Sequence, residues 1–318
     1  MIETSSLQSL IEHAVEELPL PARLPGLYDP IRYTMEGGGK RLRPLLLLAS
    51  CQAFGVSPEE AVNQAVGVEM FHNFTLLHDD VMDRADTRRG RPTVHVKWND
   101  TTAILSGDTM LTLATELVSR CPAEKLPQVL GLFNSTAMQI YEGQQMDMDF
   151  EHRNDVTVPE YLEMIRLKTS VLLGCACSMG AMMADAGQQS LKAIYDYAVN
   201  LGIAFQLQDD YLDTFGDPAT FGKETGGDIL NDKKTWLLIT AMAEAPQRVA
   251  PWLGAERSEA KIQAMKEIYA DLRLPARIHD LIEQYAAEAV LRLDDVSMSS
   301  ADRQWFTDLT NSLSARQC

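Results

Sequence analysis

The chain has 318 residues and 46% of them are apolar, so it is long enough to bury a substantial core. Its formal net charge of −17 argues against nucleic acid as a partner and against adsorption to anionic membranes, because both attract basic surfaces. An odd number of cysteines without metal-binding spacing, and the lack of a signal-peptide pattern or a membrane-spanning apolar run, predict a cytoplasmic protein without stable membrane insertion.

Apolar residues recur at intervals of three and four through most of the chain, which is the period of an amphipathic helix. The first predicted helix is Leu7–Leu18, and the prolines that follow it mark its end. Longer helices are predicted over Glu59–Asp83, Ala123–Glu151, Val158–Gly187 and Ser190–Phe215. Alternating strand patterns are lacking, so the sequence predicts an all-α fold in one domain over residues 1–318.

Three predicted loops carry cations although the whole chain is acidic. They are EGGGKRLRP (Glu36–Pro44), DRADTRRGRPT (Asp83–Thr93) and FGDPATFGKETGGDILNDKKT (Phe215–Thr235). The second and third loops each follow an apolar predicted helix that ends in a cluster of aspartates. This repeated order predicts two related halves around one cavity.

Both aspartate clusters have the spacing DDxxD. The first contains Asp79, Asp80 and Asp83, and the second contains Asp209, Asp210 and Asp213. Residues four apart lie on one face of a helix, so the first and last carboxylates of each cluster repel one another and need protons or a cation if they are buried. Magnesium prefers oxygen ligands and binds one or two carboxylates together with substrate phosphates. A single DDxxD is more often a solvated helix end, but two copies in the same setting favour a magnesium site.

The loop cations indicate anionic ligands. Arg88 and Arg89 have the planar donors that bind phosphate oxygens bidentately. Lys40, Arg41 and Arg43 form a second candidate anion site, where glycines let backbone N–H groups approach a ligand. Taken alone, this segment is equally compatible with an ordinary loop, and it lacks the spacing of a P-loop. Two anion sites and two metal sites indicate two diphosphates, or one polyphosphate and another anion.

Together these motifs resemble those of the trans-isoprenyl diphosphate synthases, the polyprenyl synthetase family. LLHDDVMDRADTRRGRPT, and FQLQDDYLD with the later FGK and GGDILNDKKT, resemble the two aspartate-rich regions of that family. GGGKRLRP resembles its isopentenyl diphosphate loop, and GQQMDMD and LKTS resemble its mid-chain motifs in the same order. The resemblance covers about Gly37 to Thr235 and is to short-to-medium-chain members of the farnesyl or geranylgeranyl diphosphate synthase type.

The resemblance implies an isoprenoid synthase fold, which is an antiparallel helical bundle around a deep central cavity, and a homodimer. It implies that an allylic substrate (dimethylallyl, geranyl or farnesyl diphosphate) loses pyrophosphate with the help of about three magnesium ions, with manganese as an alternative metal. The double bond of isopentenyl diphosphate then attacks the allylic carbocation, and a proton leaves with the pyrophosphate. The expected product is an all-trans prenyl diphosphate of C15 to C20.

The resemblance also assigns roles to individual residues. Direct magnesium ligands are expected at Asp79, Asp83 and Asp209, with Asp80, Asp210 and Asp213 as supporting or water-mediated ligands. The allylic diphosphate is expected to bind Arg88, Lys168, Lys223 and Lys233, and the isopentenyl diphosphate is expected to bind Lys40, Arg43, His72 and Arg89. Thr169 and Gln206 are expected along the carbocation, and Gln144 and Asp147 are expected to support the metal ligands. Asp232 stands where the family often has asparagine, which leaves open whether Lys233 or Lys234 contacts the diphosphate.

Product length is expected to depend on the side chains below the first aspartate cluster. Helix spacing places Thr75 one turn and Phe71 two turns below Asp79. The family's chain-length positions correspond to Phe74 and Thr75, and a straight helix would not put Phe74 on the same face. A phenylalanine there resembles short-to-medium-chain enzymes, whereas core packing is the alternative role for both aromatic residues.

Several alternatives share part of this pattern. A class I terpene cyclase typically has an Asn/Ser/Glu metal motif in second place, which DDYLD does not match. A head-to-head condensing enzyme would not need GGGKRLRP, and the pattern of an EF-hand calcium site is lacking. Two alternatives stay open at this point, namely a longer-chain polyprenyl diphosphate synthase and a non-catalytic subunit of a prenyl synthase.

Overall fold

The computed structural model describes residues 2–216 and 225–314, and helices account for most of them. The first ten helices are α1 (Thr4–Glu16), α2 (Pro25–Met35), α3 (Leu42–Ala53), α4 (Val62–Met82), α5 (Val94–Lys97), α6 (Asp100–Val118), α7 (Leu126–Glu151), α8 (Val158–Ile165), α9 (Val171–Met183) and α10 (Gln188–Phe215). Later helices span Gly227–Leu230, Trp236–Glu244, Pro246–Val249, Glu259–Asp271, Leu274–Arg292 and Ser300–Ser314. Short 3-10 turns occupy Pro58–Ala61, Ala250–Trp252 and Leu293–Asp295. The prediction of an all-α fold is confirmed.

Two features differ from the predicted elements. The predicted helix Val158–Gly187 is interrupted by a π-helical segment at Arg166–Ser170, so it forms α8 and α9 instead of one helix. In addition, β1 (Thr87–Arg88) and β2 (Arg91–Pro92) form a two-residue antiparallel ladder. A ladder this short has no alternating pattern by which the sequence reveals it.

The chain divides into two compact units, and the first comprises the described parts of Met1–Ser135, Cys175–Lys192 and Ser297–Asp302. Its α4 and α6 pack closely because glycines allow it. A Cβ atom on Gly67 would lie 2.7 Å from Val118, and one on Gly107 would lie 2.2 Å from the ring of His78. The apolar length of α4 is buried in this unit, and its aspartates lie at its carboxyl end.

The second unit comprises the described parts of Thr136–Gly174, Ala193–Val296 and Arg303–Cys318. Its core is a cluster of buried apolar residues that includes Phe150, Leu207, Leu237 and Ile278. The carboxyl-terminal half of α10 contributes to this core, and the second aspartate cluster lies near the end of this helix. One domain over residues 1–318 and a deep central cavity stay predictions. No helix in the described residues is both long enough and apolar enough to cross a membrane.

Candidate active site

The first aspartate cluster lies at the carboxyl end of α4, where the helix dipole adds partial negative charge to that of the side chains. Asp80 is buried, Asp79 is partly exposed and Asp83 is exposed. Arg88 Nε donates to Asp80 Oδ1 at 2.7 Å, and its Nη2 lies 3.8 Å from Asp79 Oδ2. Burial raises the pKa of Asp80, and the Arg88 guanidinium opposes that rise. The geometry therefore gives Asp80 a protein partner and leaves Asp79 and Asp83 closer to solvent.

The hairpin of β1 and β2 presents three arginines. Its turn consists of Arg89 and Gly90, both with positive φ (52° and 71°), a conformation that is unfavourable for Arg89. The Arg89 guanidinium donates to the carbonyl of Gly38 and lies against Gly39, where a Cβ atom would be 2.9 Å from Cζ. Gly39 of the GGGKRLRP segment therefore makes room for Arg89.

His72 and Arg43 lie near the arginines of the hairpin in the first unit. Burial lowers the pKa of Arg43 to about 10, although Glu69 opposes this, and its Nε is buried without a hydrogen-bond partner among the described residues. Burial, followed by the positive charges of Arg43 and Arg89, lowers the pKa of His72 well below its usual value. His72 is therefore a neutral imidazole near the guanidiniums of Arg43 and Arg89.

Two further members of the GGGKRLRP segment have different surroundings. Arg41 is buried and donates to Glu69 at 2.8 Å, to Glu12 at 3.1 Å and to the carbonyl of Met35 at 2.6 Å. Arg41 therefore anchors α3 to the unit and is not placed for a ligand, in contrast to its inclusion in the candidate anion site. Lys40, beside it, is exposed.

A cavity in the first unit brings the arginines of the hairpin together with Asp80 and Gly37. It is lined by Tyr33, Thr34, Gly37, Asn73, Leu76, Leu77, Asp80, Arg88, Arg89, Arg91, Pro92, Thr93 and Val94. Three of these residues are arginines and one is an acid, so the cavity has excess positive charge in a protein of net charge −17. Such a cavity suits a small anion with several negative charges.

The second aspartate cluster lies near the carboxyl end of α10. Asp210 is buried and accepts hydrogen bonds from Tyr161 Oη and, at 3.0 Å, from Gln206 Nε2. Burial raises the pKa of Asp210 to about 7, although Lys233 lowers it. Asp213 Oδ1 accepts from the backbone N–H of Asp228 at 2.9 Å. As in the first cluster, the middle aspartate is buried and paired within its own unit.

The π-helical segment Arg166–Ser170 carries two of the predicted residues. Lys168 Nζ lies 2.6 Å from Asp147 Oδ2, and Thr169 Oγ1 donates to Gln206 Oε1 at 3.3 Å. The segment is flanked by glycines that permit close contact: a Cβ atom on Gly143 would lie 2.4 Å from Lys168 N, and one on Gly202 would lie 2.7 Å from Ser170. Gly143 is the glycine of the GQxxD motif, and Gln144 beside it is partly buried on α7. Single-turn π segments are frequent at functional sites.

The loop before Trp236–Glu244 distinguishes Lys233 from Lys234. Lys233 Nζ lies 3.5 Å from Asp228 Oδ1, and Asp228 chiefly raises its pKa, with smaller contributions from other acids of the second unit that include Asp210. Lys234 is buried, and its Nζ donates to the carbonyl of Asp232 at 3.2 Å. Asp232 also pairs with the buried Lys261 at 2.8 Å. Lys233 is therefore the lysine that faces the carboxylates, whereas Lys223 lies outside the described residues.

The predicted chain-length residues lie on an uninterrupted α4. Phe71 is fully buried and packs edge-on against Phe133 at a ring distance of 5.2 Å. Phe74 is 5% exposed and contacts the ring of His78 at 4.8 Å. Thr75 Oγ1 donates to the carbonyl of His72 at 2.8 Å. These contacts bury Phe71 in the core of the first unit, and a role in product length stays a prediction for Phe71, Phe74 and Thr75.

The donor chemistry at both clusters fits magnesium. Carboxylate pairs one helical turn apart supply the hard oxygen ligands that the ion prefers, and the negative helix end favours a cation beside them. In residues 2–216 and 225–314, no group of three or more Asp, Glu, His or Cys side chains is arranged to hold a metal ion by itself. Magnesium commonly uses one or two carboxylates and completes its octahedron with water and substrate phosphates, so the two pairs suffice for this mode of binding.

Some residues at these sites were not predicted from the sequence. Tyr161 lies 49 positions from Asp210, and Asp228 lies 15 positions from Asp213, so no short motif connects either pair. Arg91 gave a weak signal as the third arginine of RRGR, but the sequence does not reveal the hairpin that places it beside Arg88.

Comparisons with known proteins agree with this arrangement. Residues 25–272 match the family described as Polyprenyl synthetase. The chain is 42% identical to a geranylgeranyl diphosphate synthase of Methanosarcina mazei over 241 residues, which is 75% of this chain and 74% of that protein. It is 35% identical to a geranylfarnesyl diphosphate synthase of Natronomonas pharaonis over 332 aligned positions, covering 97% and 95% of the two chains.

Among solved structures, a geranylgeranyl pyrophosphate synthase superposes with a TM-score of 0.95 at 43% identity, and the match covers 100% of both chains. This likeness extends over all the described helices, including those that carry both aspartate clusters. The family match exceeds half of the chain, and the Methanosarcina mazei relative exceeds 30% identity over more than two thirds of it. The chain therefore belongs to the polyprenyl synthetase family.

Proposed function

We propose that this protein is a trans-prenyltransferase that condenses isopentenyl diphosphate with an allylic diphosphate, releases pyrophosphate and forms a C15 to C20 all-trans prenyl diphosphate. Family membership is the observation that carries this proposal. The relatives named geranylgeranyl diphosphate synthase favour the C20 product within that range. Two relatives are named geranylfarnesyl diphosphate synthase, so a product one isoprene unit longer is the second candidate.

The allylic diphosphate is proposed to bind the two aspartate clusters through magnesium, about three ions per site, with Asp79, Asp83 and Asp209 as direct ligands. When bound, the metal polarises the diphosphate and stabilises the charge that develops as the carbon–oxygen bond breaks. Asp80, Asp210 and Asp213 are proposed as supporting or water-mediated ligands, and each accepts a hydrogen bond from a neighbouring residue that fixes its carboxylate. The carboxylates of Asp147 and Asp228 hold Lys168 and Lys233 close to the second cluster.

Cationic side chains, together with the neutral His72, are proposed to bind the two diphosphates. Arg88, Lys168, Lys223 and Lys233 are proposed to hold the allylic diphosphate, and Lys40, Arg43, His72 and Arg89 are proposed to hold the isopentenyl diphosphate. A neutral His72 can donate one hydrogen bond to a phosphate oxygen without adding charge to the crowded arginines. The buried Nε of Arg43 is a donor without a partner in the described residues, as a ligand-binding donor would be.

The allylic carbocation must be kept away from water. A carbocation that meets water becomes an alcohol, so the apolar side chains of α4 and α10 are proposed to exclude water beneath the charged groups. Thr169 donates a hydrogen bond to Gln206 at 3.3 Å, and the polar oxygen atoms of both side chains are proposed to stabilise the allylic carbocation. The departing pyrophosphate accepts the proton that the condensed product loses.

Assembly and location complete the proposal. A homodimer in the cytoplasm, as one domain per chain, is proposed from the family resemblance. Sedimentation of the purified protein tests the dimer.

Product analysis tests the reaction. The protein is incubated with magnesium and labelled isopentenyl diphosphate together with dimethylallyl, geranyl or farnesyl diphosphate, and the products are sized. We expect chain growth by one isoprene unit per condensation, ending at C15 to C20. Consumption of the allylic diphosphate without isopentenyl diphosphate would indicate a cyclase instead, and failure to turn over any starter would indicate a non-catalytic subunit.

A further inference from the structure

The position of Arg91 in the hairpin is electrostatically unfavourable. In the hairpin, Arg88 is directly paired with Arg91, and cross-strand partners place their side chains on one face. Like charges directly opposite one another destabilise a strand pair. Arg88 has Asp80 as its counter-charge, but Arg91 forms no ion pair with any residue in the described ranges. One of the two positive charges of this arginine pair is therefore not neutralised by an acidic side chain of the described residues.

An aromatic ring holds Arg91 in place. Its Cζ lies 3.9 Å from the ring centre of Tyr33, and Lys97 Nζ lies 3.8 Å from the same centre. Tyr33 Oη donates to the carbonyl of Pro92 at 2.8 Å, which ties the ring to β2. Stacking uses the face of a guanidinium, so its five N–H donors, which lie in the plane, stay available to a ligand.

The arginine reaches the glycine segment across the cavity of the first unit. Arg91 Nη1 lies 3.8 Å from the point that a Cβ atom on Gly37 would occupy, and Arg88, Arg89 and Arg91 all line this cavity. Asp80 is the single acid among the lining residues, so three guanidiniums face one carboxylate. A ligand with at least two negative charges and several acceptor oxygens, such as a diphosphate, would balance them.

We propose that Arg91 is a further diphosphate-binding residue, positioned by the ring of Tyr33, that sets the affinity for isopentenyl diphosphate. The inference rests on the proposed function for the identity of the ligand. Arg91 lies beside Gly37, whose segment is proposed to bind isopentenyl diphosphate, and this contact favours that substrate. Its cross-strand partner Arg88 is proposed to bind the allylic diphosphate, so the two KM values distinguish the substrates. Tyr33 acts through Arg91 and is a positioning residue.

Two substitutions at each position test the proposal. Arg91→Gln removes the charge, and Arg91→Lys keeps the charge but loses the planar fork. Tyr33→Leu removes the ring, and Tyr33→Phe keeps the ring but loses the hydroxyl bond to Pro92. Arg120→Gln is the matched control, since Arg120 pairs with Glu116 on the surface of α6 in the same unit and does not line the cavity.

The steady-state KM is measured for each substrate, and binding of isopentenyl diphosphate without metal is measured by calorimetry. For Arg91→Gln we expect the KM and the dissociation constant for isopentenyl diphosphate to rise by about tenfold to a hundredfold, which corresponds to loss of a charged hydrogen bond. The KM for the allylic diphosphate should change by less than about threefold. For isopentenyl diphosphate, the KM and dissociation constant of Arg91→Lys should lie between those of Arg91→Gln and the unchanged protein. Tyr33→Leu should show the same rise as Arg91→Gln. Tyr33→Phe and Arg120→Gln should have the values of the unchanged protein.

An unchanged affinity for isopentenyl diphosphate in folded Arg91→Gln would overturn the proposal, as would a rise confined to the KM for the allylic substrate. If Arg91→Gln does not fold, Tyr33→Leu decides, because a ring that serves only packing would alter the melting temperature and leave the affinity unchanged. Failure of the unchanged protein to elongate any starter would contradict the proposed function instead, and calorimetry with isopentenyl diphosphate would still decide the role of Arg91.

Discussion

The phenol of Tyr161 donates a hydrogen bond to Oδ2 of Asp210 and so joins α8 to the end of α10. Gln206 donates to the other carboxylate oxygen at 3.0 Å, so both oxygens of this buried aspartate are engaged. Asp80 holds the same place in the first cluster, where it is buried and paired with Arg88. In both clusters the middle aspartate is fixed by neighbours, which favours the partly exposed Asp79 and Asp209 as the residues that meet a ligand.

Removal of the Tyr161 hydroxyl tests this relationship. Tyr161→Phe leaves one oxygen of a buried carboxylate without its donor, so we expect the free energy of unfolding to fall by about 1–3 kcal/mol. We also expect the affinity for magnesium and pyrophosphate to fall several-fold, because Asp210 is no longer held. Calorimetry and denaturant unfolding measure the two effects.

Tyr197→Phe is the matched control for Tyr161→Phe. Tyr197 is likewise fully buried in the second unit, and its hydroxyl donates to the carbonyl of Phe306 at 2.9 Å, away from the aspartates. This variant should lose comparable stability and keep its affinity for magnesium and pyrophosphate. Equal losses of affinity in both variants would show that Tyr161 acts only through general stability.

The second prediction separates two adjacent lysines. Lys233 faces the carboxylates of the second cluster, whereas Lys234 is buried against the carbonyl of Asp232. Lys233→Gln should lower kcat/KM for the allylic diphosphate by about tenfold to a hundredfold, as expected for loss of one charged contact to the leaving group. Lys234→Gln should mainly lower the melting temperature. The opposite order of the two effects on kcat/KM would assign the contact to Lys234.

A third prediction concerns product length. Phe74→Ala should lengthen the product by at least one isoprene unit, because it removes a large side chain that the family resemblance places at the cavity floor. Phe71→Ala should instead lower the free energy of unfolding by about 3–5 kcal/mol, because Phe71 is fully buried against Phe133. Chromatography of the dephosphorylated products provides the measurement. A Phe74→Ala enzyme that stays active and makes the original product would refute the role of Phe74.

The depressed pKa of His72 predicts a pH effect on stability. The pKa of His72 lies well below 6.5 in the folded protein, chiefly because of burial. Unfolding therefore lets His72 bind a proton at pH values below about 6.5, so its contribution is fully present above that pH and is lost as the pH falls toward the folded pKa. His72→Asn should flatten the acid side of the stability profile, whereas the same change at the exposed His152 should not. Equal slopes for all three proteins would contradict a neutral His72.

Much of the fold was predictable because helical periodicity is a local signal. The predicted Glu59–Asp83 and Ser190–Phe215 agree with α4 and α10 to within a few residues, and these helices carry both aspartate clusters. The π-helical segment was not predictable, since its apolar spacing matches that of a regular helix and the close contacts of Gly143 and Gly202 that surround it are tertiary.

The candidate site was predictable in its charged motifs but not in its pairings. The sequence grouped Arg41 with Lys40 and Arg43 in a candidate anion site. Only the structure shows that Arg41 donates hydrogen bonds to Glu69 and Glu12 instead. A basic segment shows which side chains carry charge, whereas the distances that join distant residues decide which charges remain for a ligand. Arg91 was not predicted for the same reason, because its placement beside Arg88 depends on a two-residue ladder.

The central claim is that both aspartate clusters bind magnesium together with the allylic diphosphate. A crystal structure of the protein with magnesium, isopentenyl diphosphate and an unreactive allylic thiodiphosphate tests it most directly. We predict magnesium ions bonded to carboxylate oxygens of Asp79, Asp83 and Asp209 and to the thiodiphosphate. Bound ions and analogue that contact none of these three carboxylates would contradict the account.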